Sequence, residues 1–397
     1  MNRIVSSSNL SSSIVGFALS LFIPSTAIFQ KYLGIMGVVA YIAIASLALL
    51  LFIKYKYIFA RRASKVTEKQ VLWLATLTFL LLLIIFLVGY PIANSGIVGG
   101  GSDGDDALNT ATTELLHGRY PYYPKTYLGN PISPLPGTLL LAVPFVLFGN
   151  GAYQNFFWVL AFFVVMKSYF KDGRSALLLL WLIFALSPIV LYVFVVGSDY
   201  LSNSLYVLLF ILWMTVSISQ PNQSNWGKIL PAILLGIGLS SRANFVLLLP
   251  LVFSTLVQKG GWKPAIKYTA VTCITFIVVT VPFFLYDPQG FSPLHTSNKL
   301  GQFQSIIPFA GFLIPLVTAI IALIFVFSMS VSHNLDSLFR KSAIVLAFPV
   351  LCGVVLSSIK SWSADFQFAY FGVFFLFFGA VSSWRNLFEI EVPGQTT

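Results

Sequence analysis

The sequence predicts an all-α, polytopic membrane protein of about twelve spans, and three observations carry that expectation. Hydrophobic residues fill 57% of the 397 positions and charged residues only 9%. A water-soluble globule needs about a quarter of its residues charged to keep its surface wet, so this composition does not fit one. The apolar residues also fall into runs of roughly 18 or more, the length a helix needs to cross about 30 Å of hydrocarbon. So little polar sequence separates the runs that residues 1–397 are expected to form one membrane domain without a separate soluble one.

Taken in order, the runs expected to span are 10–29, 33–53, 71–92, 152–170, 175–196, 200–219, 268–286, 306–330, 342–358 and 366–384. Two shorter runs, 229–241 and 243–257, flank Arg242 and read as a hairpin. Segment 10–29 is expected to be a retained helix, because Pro24 and the lack of a cleavage pattern argue against a signal peptide. The apolar stretch 135–149 has only 15 residues and carries Pro136 and Pro144, so it is expected to lie in or dip into the outer interface.

Orientation follows from the basic residues. Lys54, Lys56, Arg61, Arg62, Lys65 and Lys69 crowd one loop, which the positive-inside rule makes cytoplasmic. Changing sides at each span then adds Lys167, Lys171, Arg174, Lys228, Lys259, Lys263, Lys267, Arg340, Lys341, Arg385 and Arg3 to the inner set. Only Lys31, Arg119, Lys125, Arg242, Lys299 and Lys360 are left outside. Both termini then face the cytoplasm, and the plasma membrane is the expected location. If 135–149 crossed the bilayer, every later loop would change sides and the bias would collapse. The same parity holds 229–257 as a hairpin. A net charge of +11 would suggest nucleic acid in a soluble protein; here it orients helices, and no nucleic-acid partner is expected. Cys273 and Cys352 lie inside apolar runs, so neither a disulfide nor a cysteine metal site is expected.

The acids gather on the other side. Asp103, Asp105, Asp106, Glu114, Asp199, Asp287 and Asp365 all fall outside, the first four of them in the loop 93–134. Within it, Gly99, Gly100, Gly101 and Ser102 lead into Asp103, Asp105 and Asp106. A helix is expected over 106–117, with Asp106, Thr110, Thr113 and His117 on a polar face and Leu108, Ala111, Leu115 and Leu116 on an apolar one, lying on the membrane surface. Acids favour a helix N-terminus, which accounts for one carboxylate. Three so close repel one another unless a cation offsets them. Two classes of function fit such a loop, an enzyme that uses a carboxylate and a transporter or flippase for a lipid-linked saccharide. A scaffold of a polysaccharide assembly explains the helices but not the carboxylates. Transporters usually show inverted repeats with polar groups at mid-membrane, whereas this chain keeps its polar residues in external loops. No G-x-x-x-x-G-K phosphate loop is present.

At this point the residues resemble the glycosyltransferase-C (GT-C) superfamily, whose members move a sugar from a polyprenyl-phosphate carrier to an acceptor outside the cytoplasm. Asp103 precedes Gly118 by 15 residues, similar to the spacing in the oligosaccharyl and aminoarabinose transferases. The stretch HGRYPYYPKTYLGNPISPLPGTLL is similar to the G-x-x-P-Y … Y-x-P-P-L pattern of polyprenol-dependent mannosyl- and arabinofuranosyltransferases. SPIVLYVFVVGSDYLSNSLYVLLFILW resembles a later family stretch in which an acid follows a glycine between helices. The chain departs from the family where a Lys-Pro pair is often found, carrying Ser240-Ser241-Arg242-Ala243-Asn244 instead. The resemblance implies a transferase with a polyprenyl-phosphate sugar donor, membrane lipids around it, and a saccharide, lipid or protein acceptor.

The chemistry assigns candidate roles. Transfer to a hydroxyl needs a general base, for which Asp103 is the first choice and Asp105 the rival. The departing phosphate wants fixed cations; Arg242 at the hairpin tip is the main candidate, joined by Lys299 and Lys360 on the same side. Asp105, Asp106 and Asp199 form the candidate set for a divalent cation, Mg or Mn, with orientation of the acceptor as the other role for Asp199. His117, Tyr122, Tyr123 and Lys125 are the candidate substrate-binding residues, the tyrosines by stacking on sugar or by lying at the interface.

Overall fold

A computed structural model describes residues 7–99, 102–220, 222–328 and 334–388. Arg3, Gly100, Gly101, the end of the run 306–330 and both termini lie outside the described residues. Among those described the chain is helical, and its extended pairing is an isolated bridge between Lys125 and Pro131.

The first helix, α1 (Ser7–Lys54), is broken at Gly34, where φ is 65° and ψ −164°. The Tyr41 ring stacks on Phe29 at 4.3 Å and meets Phe22 edge-on at 6.2 Å. A straight helix would hold these pairs about 18 and 28 Å apart. The chain therefore folds back at Gly34, and its two arms correspond to the runs expected over 10–29 and 33–53. Next come α2 (Lys56–Ala63), which has no buried residue, and α3 (Glu68–Asn94), started by a reciprocal Thr67–Gln70 capping box.

Two short helices then precede the central bundle. α4 (Gly104–Leu116) packs against α5 (Pro136–Leu147), and α5 meets the unit formed by Gly151–Tyr153 and α6 (Gln154–Phe170) at 102°. Part of the apolar face of α4 is covered by protein rather than left for lipid. Ala107, Leu108 and Ala111 are buried with Tyr122, Ile132, Leu135, Leu139, Ala142 and Phe291, so the chain itself covers them. The run 175–196 is also not one straight helix. It divides into α7 (Gly173–Leu186) and α8 (Pro188–Val195), bent by 86°. Pro188 has no N–H to continue the ladder, and the buried Ser187 hydroxyl donates instead to Leu21 O of α1 at 2.7 Å.

α9 (Asp199–Ser219) is the hub, with α6, α10, α11 and α16 packed around it. α10 (Asn225–Leu239), a short turn, the 3₁₀ segment Ala243–Leu248 and α11 (Leu249–Gly260) follow. Arg242 meets Asp199 at the start of α9, while Gly260 abuts Ile218 near its end. The segment 225–260 is thus the expected hairpin, tip and base at opposite ends of α9. The remaining helices are α12 (Trp262–Tyr286), α13 (Ser292–Ser297), α14 (Ala310–Phe327), α15 (Asn334–Ser361) and α16 (Val373–Phe388). Among the described residues, eight helices are long and apolar enough to cross a membrane, or up to ten if each bent pair counts as one span.

The loops sort to two ends. At one, Lys167 pairs with Glu68 at 2.9 Å, Arg174 Nε donates to Val66 O, and Arg385 lies over Tyr169. At the other, Gln30 bonds Ala364 and Phe366, and the loops bearing Asp103, Asp199 and Arg242 converge.

Candidate functional site

Four segments far apart in sequence build the site. The first is the start of α4. Asp103 stands at its N-cap position, yet its side chain makes no capping hydrogen bond. Its Oδ2 accepts instead from Thr126 Oγ1 and Asn130 Nδ2, each at 2.7 Å. Among the described residues no donor reaches Oδ1, so one oxygen is fixed and the other is left to take a proton.

The other loop carboxylates are engaged elsewhere. Asp106 Oδ2 accepts the Tyr127 N–H at 2.8 Å, with Thr110 on Oδ1 at 3.4 Å. Asp105 is 6% exposed and accepts the hydroxyl proton of Tyr90, whose oxygen in turn accepts from Asn150 Nδ2. Burial pushes the Asp105 carboxyl above its ordinary value, against the pull of that Tyr90 bond. Asp105 thus ties α3 to α4 and to the start of α6. It faces Gly197 across a tight contact rather than an open cavity.

The second and third segments meet in an ion pair. Asp199 opens α9 at 1% exposure, and Arg242 closes the hairpin turn. Arg242 Nη2 lies 2.5 Å from Asp199 Oδ2, Nη1 donates to Ser133 Oγ at 3.2 Å, and the guanidinium covers the Tyr200 ring at 4.7 Å. Arg242 Nε is buried without a partner among the described residues. The turn itself is held by α5: Gly137 N donates to Ser240 O at 2.8 Å, and Thr138 Oγ1 to Ser241 O at 3.1 Å. Glycine is needed at 137 because a Cβ there would collide with the Ile237 and Ser240 carbonyls. Asp105, Asp106 and Asp199 therefore do not converge. No group of three or more metal-ligating side chains forms among the described residues, so the expected divalent-cation set does not fit.

The fourth segment supplies Lys299. Its ammonium lies 4.9 Å from the Phe371 ring centroid. Although the residue as a whole stays accessible, crowding around its ammonium, then repulsion from Arg242, lowers its pKa, and Asp103 opposes the fall. Lys299 thus lies within electrostatic reach of both residues. Arg242 and Lys299 also line the same cavity, of about 600 Å³, whose other walls are mainly apolar: Leu247, Phe312, Phe371 and Phe374 among them. It is an oily chamber with two cations and, near one of them, a carboxylate.

The remaining candidates sit apart. Lys360 does not line the cavity, and its ammonium donates to Gln302 O at 3.2 Å. His117 is exposed at the far end of α4, about 20 Å along the helix from Asp103. Lys125 is exposed beside the loop that holds Asp103. Tyr123 is 61% exposed and bonded to Asp287, whereas Tyr122 is 4% exposed between Phe283 and Phe291. Burial pushes the Tyr122 hydroxyl well above its ordinary value, with Arg242 acting in the opposite direction. Thr126, Asn130, Ser133 and Tyr200 were not legible as site residues. They are common residue types without a spacing signal, and only tertiary contacts bring them to Asp103 and Arg242. Comparison of the chain with family models, curated proteins and solved structures finds no match.

Proposed function

We propose that the chain is a glycosyltransferase that moves a sugar from a polyprenyl-phosphate carrier to an acceptor hydroxyl on the external face of the membrane. The observation that carries this reading is that Arg242 and Lys299 line one mainly apolar cavity, with Asp103 close enough to Lys299 to act on its charge. An isoprenoid tail needs apolar walls, its phosphate needs cations at one end, and the reacting sugar needs a base beyond them.

In the reaction, Asp103 Oδ1 takes the proton of the acceptor hydroxyl as the oxygen attacks the anomeric carbon. The bond from that carbon to the phosphate oxygen breaks, and the carrier leaves as a phosphate monoester with one more negative charge. Arg242 and Lys299 stabilise that added charge in a low-dielectric setting, where fixed cations act most strongly. Thr126 and Asn130 keep the base from rotating away.

The same reading assigns about twelve spans. Each arm of α1 crosses once, α10 and α11 cross as a hairpin, and α4 and α5 cap the outer face beside the membrane. Loop 54–70 faces the cytoplasm, as do both termini, and the membrane is the plasma membrane. A flippase would also need an apolar chamber with cations, but it has no use for a carboxylate with one oxygen open.

The test incubates purified protein with a panel of radiolabelled polyprenyl-phosphate sugars and acceptors, and measures label transferred. Transfer by the wild type is expected. Failure with every donor, by protein that still binds the carriers, would turn the assignment to the flippase.

A further inference from the structure

We propose that Asn203 and Tyr206 are positioning residues that set the direction of the Arg242 guanidinium through Asp199. The inference rests on the phosphate-binding reading above. Asp199, Asn203 and Tyr206 lie on one face of α9, four and three residues apart, and are 1%, 0% and 0% exposed. Neither Asn203 nor Tyr206 lines the cavity, so any effect they have on a bound phosphate is indirect.

The chain of hydrogen bonds is directional. Asn203 Nδ2 donates to Asp199 Oδ2 at 2.8 Å, and Asn203 Oδ1 accepts the Tyr206 hydroxyl proton at 2.5 Å. An amide has one donor end and one acceptor end. With Tyr206 giving its single proton to Oδ1, the NH₂ must face the Asp199 carboxylate. The reverse setting would press Oδ1 against Oδ2 with no proton between them. The Tyr206 oxygen also meets the hydroxyls of Ser241, in the hairpin turn, and Thr138, in α5. Ser241 Oγ gives its own proton to Gly238 O at 2.6 Å and Thr138 Oγ1 gives its own to Ser241 O at 3.1 Å, while the Tyr206 proton goes to Asn203. The three elements that build the phosphate end of the cavity thus share one hydrogen-bonded chain.

Its terminus is the ion pair. Asp199 Oδ2 receives both Asn203 and Arg242 Nη2, while Ser133 takes Nη1 and Tyr200 supports the guanidinium face. Held at both amino groups and across its plane, the guanidinium keeps a single orientation. Its Nε–H stays buried and unpartnered, a costly state in a low-dielectric site. Arg242 lines the cavity, so a phosphate that enters meets a guanidinium already fixed in place. If Asp199 could rotate, Arg242 could turn its Nε to another acceptor, and selectivity for phosphate would fall.

The experiment uses the full-length purified protein and two probes, farnesyl phosphate and farnesol, with binding followed by intrinsic fluorescence and thermal unfolding recorded in parallel. Tyr206→Phe removes only the hydroxyl. It should weaken farnesyl phosphate by about tenfold, the order expected for one hydrogen bond in a buried charged network, and leave farnesol unchanged. Asn203→Leu keeps the size but removes the donor to Asp199, so it should show the same selective loss even if Tyr206→Phe folds poorly. Wild-type preference for the phosphate in both variants overturns the proposal. Equal loss of both probes overturns it too, because it marks a general packing role. If the wild type itself binds farnesyl phosphate no better than farnesol, the phosphate-site reading fails first. If the wild type discriminates and Arg242→Ala abolishes discrimination while the two variants retain it, only the present inference fails.

Discussion

At the scale of single residues, two carboxylates two positions apart have opposite surroundings. Asp103 keeps one oxygen open near Lys299, whereas Asp105 is buried against Tyr90. Asp103→Asn removes the base while keeping acceptor and size. Transfer should fall by about 10²–10⁴-fold with little change in thermal midpoint, measured in the radiolabel assay and by unfolding. Asp105→Asn should transfer at near wild-type rate, because an amide oxygen can still accept the Tyr90 hydroxyl. Its effect is on stability against pH. Burial raises the folded-state pKa of Asp105, so its contribution is full below the ordinary carboxylate value and is lost as pH rises through the folded value. The asparagine cannot titrate, so the variant should gain on the wild type as pH rises through that window. A dead Asp105→Asn beside an active Asp103→Asn would move the base by two residues. Asp103 and Arg242 were legible in the sequence, because an acid after a glycine-rich lead and an arginine at a short hairpin tip are rare patterns. Asn203 and Tyr206 were not, since polar residues inside an apolar run disclose no partner.

At the scale of elements, the exchange of lipid for protein around α4 matters most. An amphipathic pattern states that one face avoids water and leaves open what covers it. In the structure α5 and the segment around Ile132 cover part of it, with Leu108 fully buried. Leu108→Ala should therefore cost about 2–5 kcal/mol, as in a packed core, read as a lowered thermal midpoint in detergent. A lipid-facing leucine would lose far less, because detergent fills the gap. The break between α7 and α8 is another case. Pro188 was visible in the run 175–196, but the Ser187 bond to α1 that accompanies the 86° bend is not contained in any local pattern.

For the whole molecule, the division of basic residues between two ends makes topology testable. Lys54, Lys65 and Lys167 belong to one end and Lys299 and Lys360 to the other. In a background lacking Cys273 and Cys352, Ser102→Cys should react with a membrane-impermeant thiol reagent on intact cells, and Ser64→Cys should not. The opposite result would invert the membrane sidedness and with it the identity of the donor. The proposed sidedness requires both hairpins, that of α1 and that of 225–260, to cross the membrane twice.

The sequence by itself determined the fold class, the division of charge and the few residues with distinctive patterns. Those properties follow from the length of apolar runs and from the cost of charge in hydrocarbon, both of which are local. Tertiary structure alone decided that Asp105 is buried in a structural network, that Asp199 belongs to Arg242 rather than to a cation, and that Lys299 but not Lys360 lines the cavity with it. Each depends on partners tens to hundreds of residues away, and a side chain's role is set by what neutralises or desolvates it.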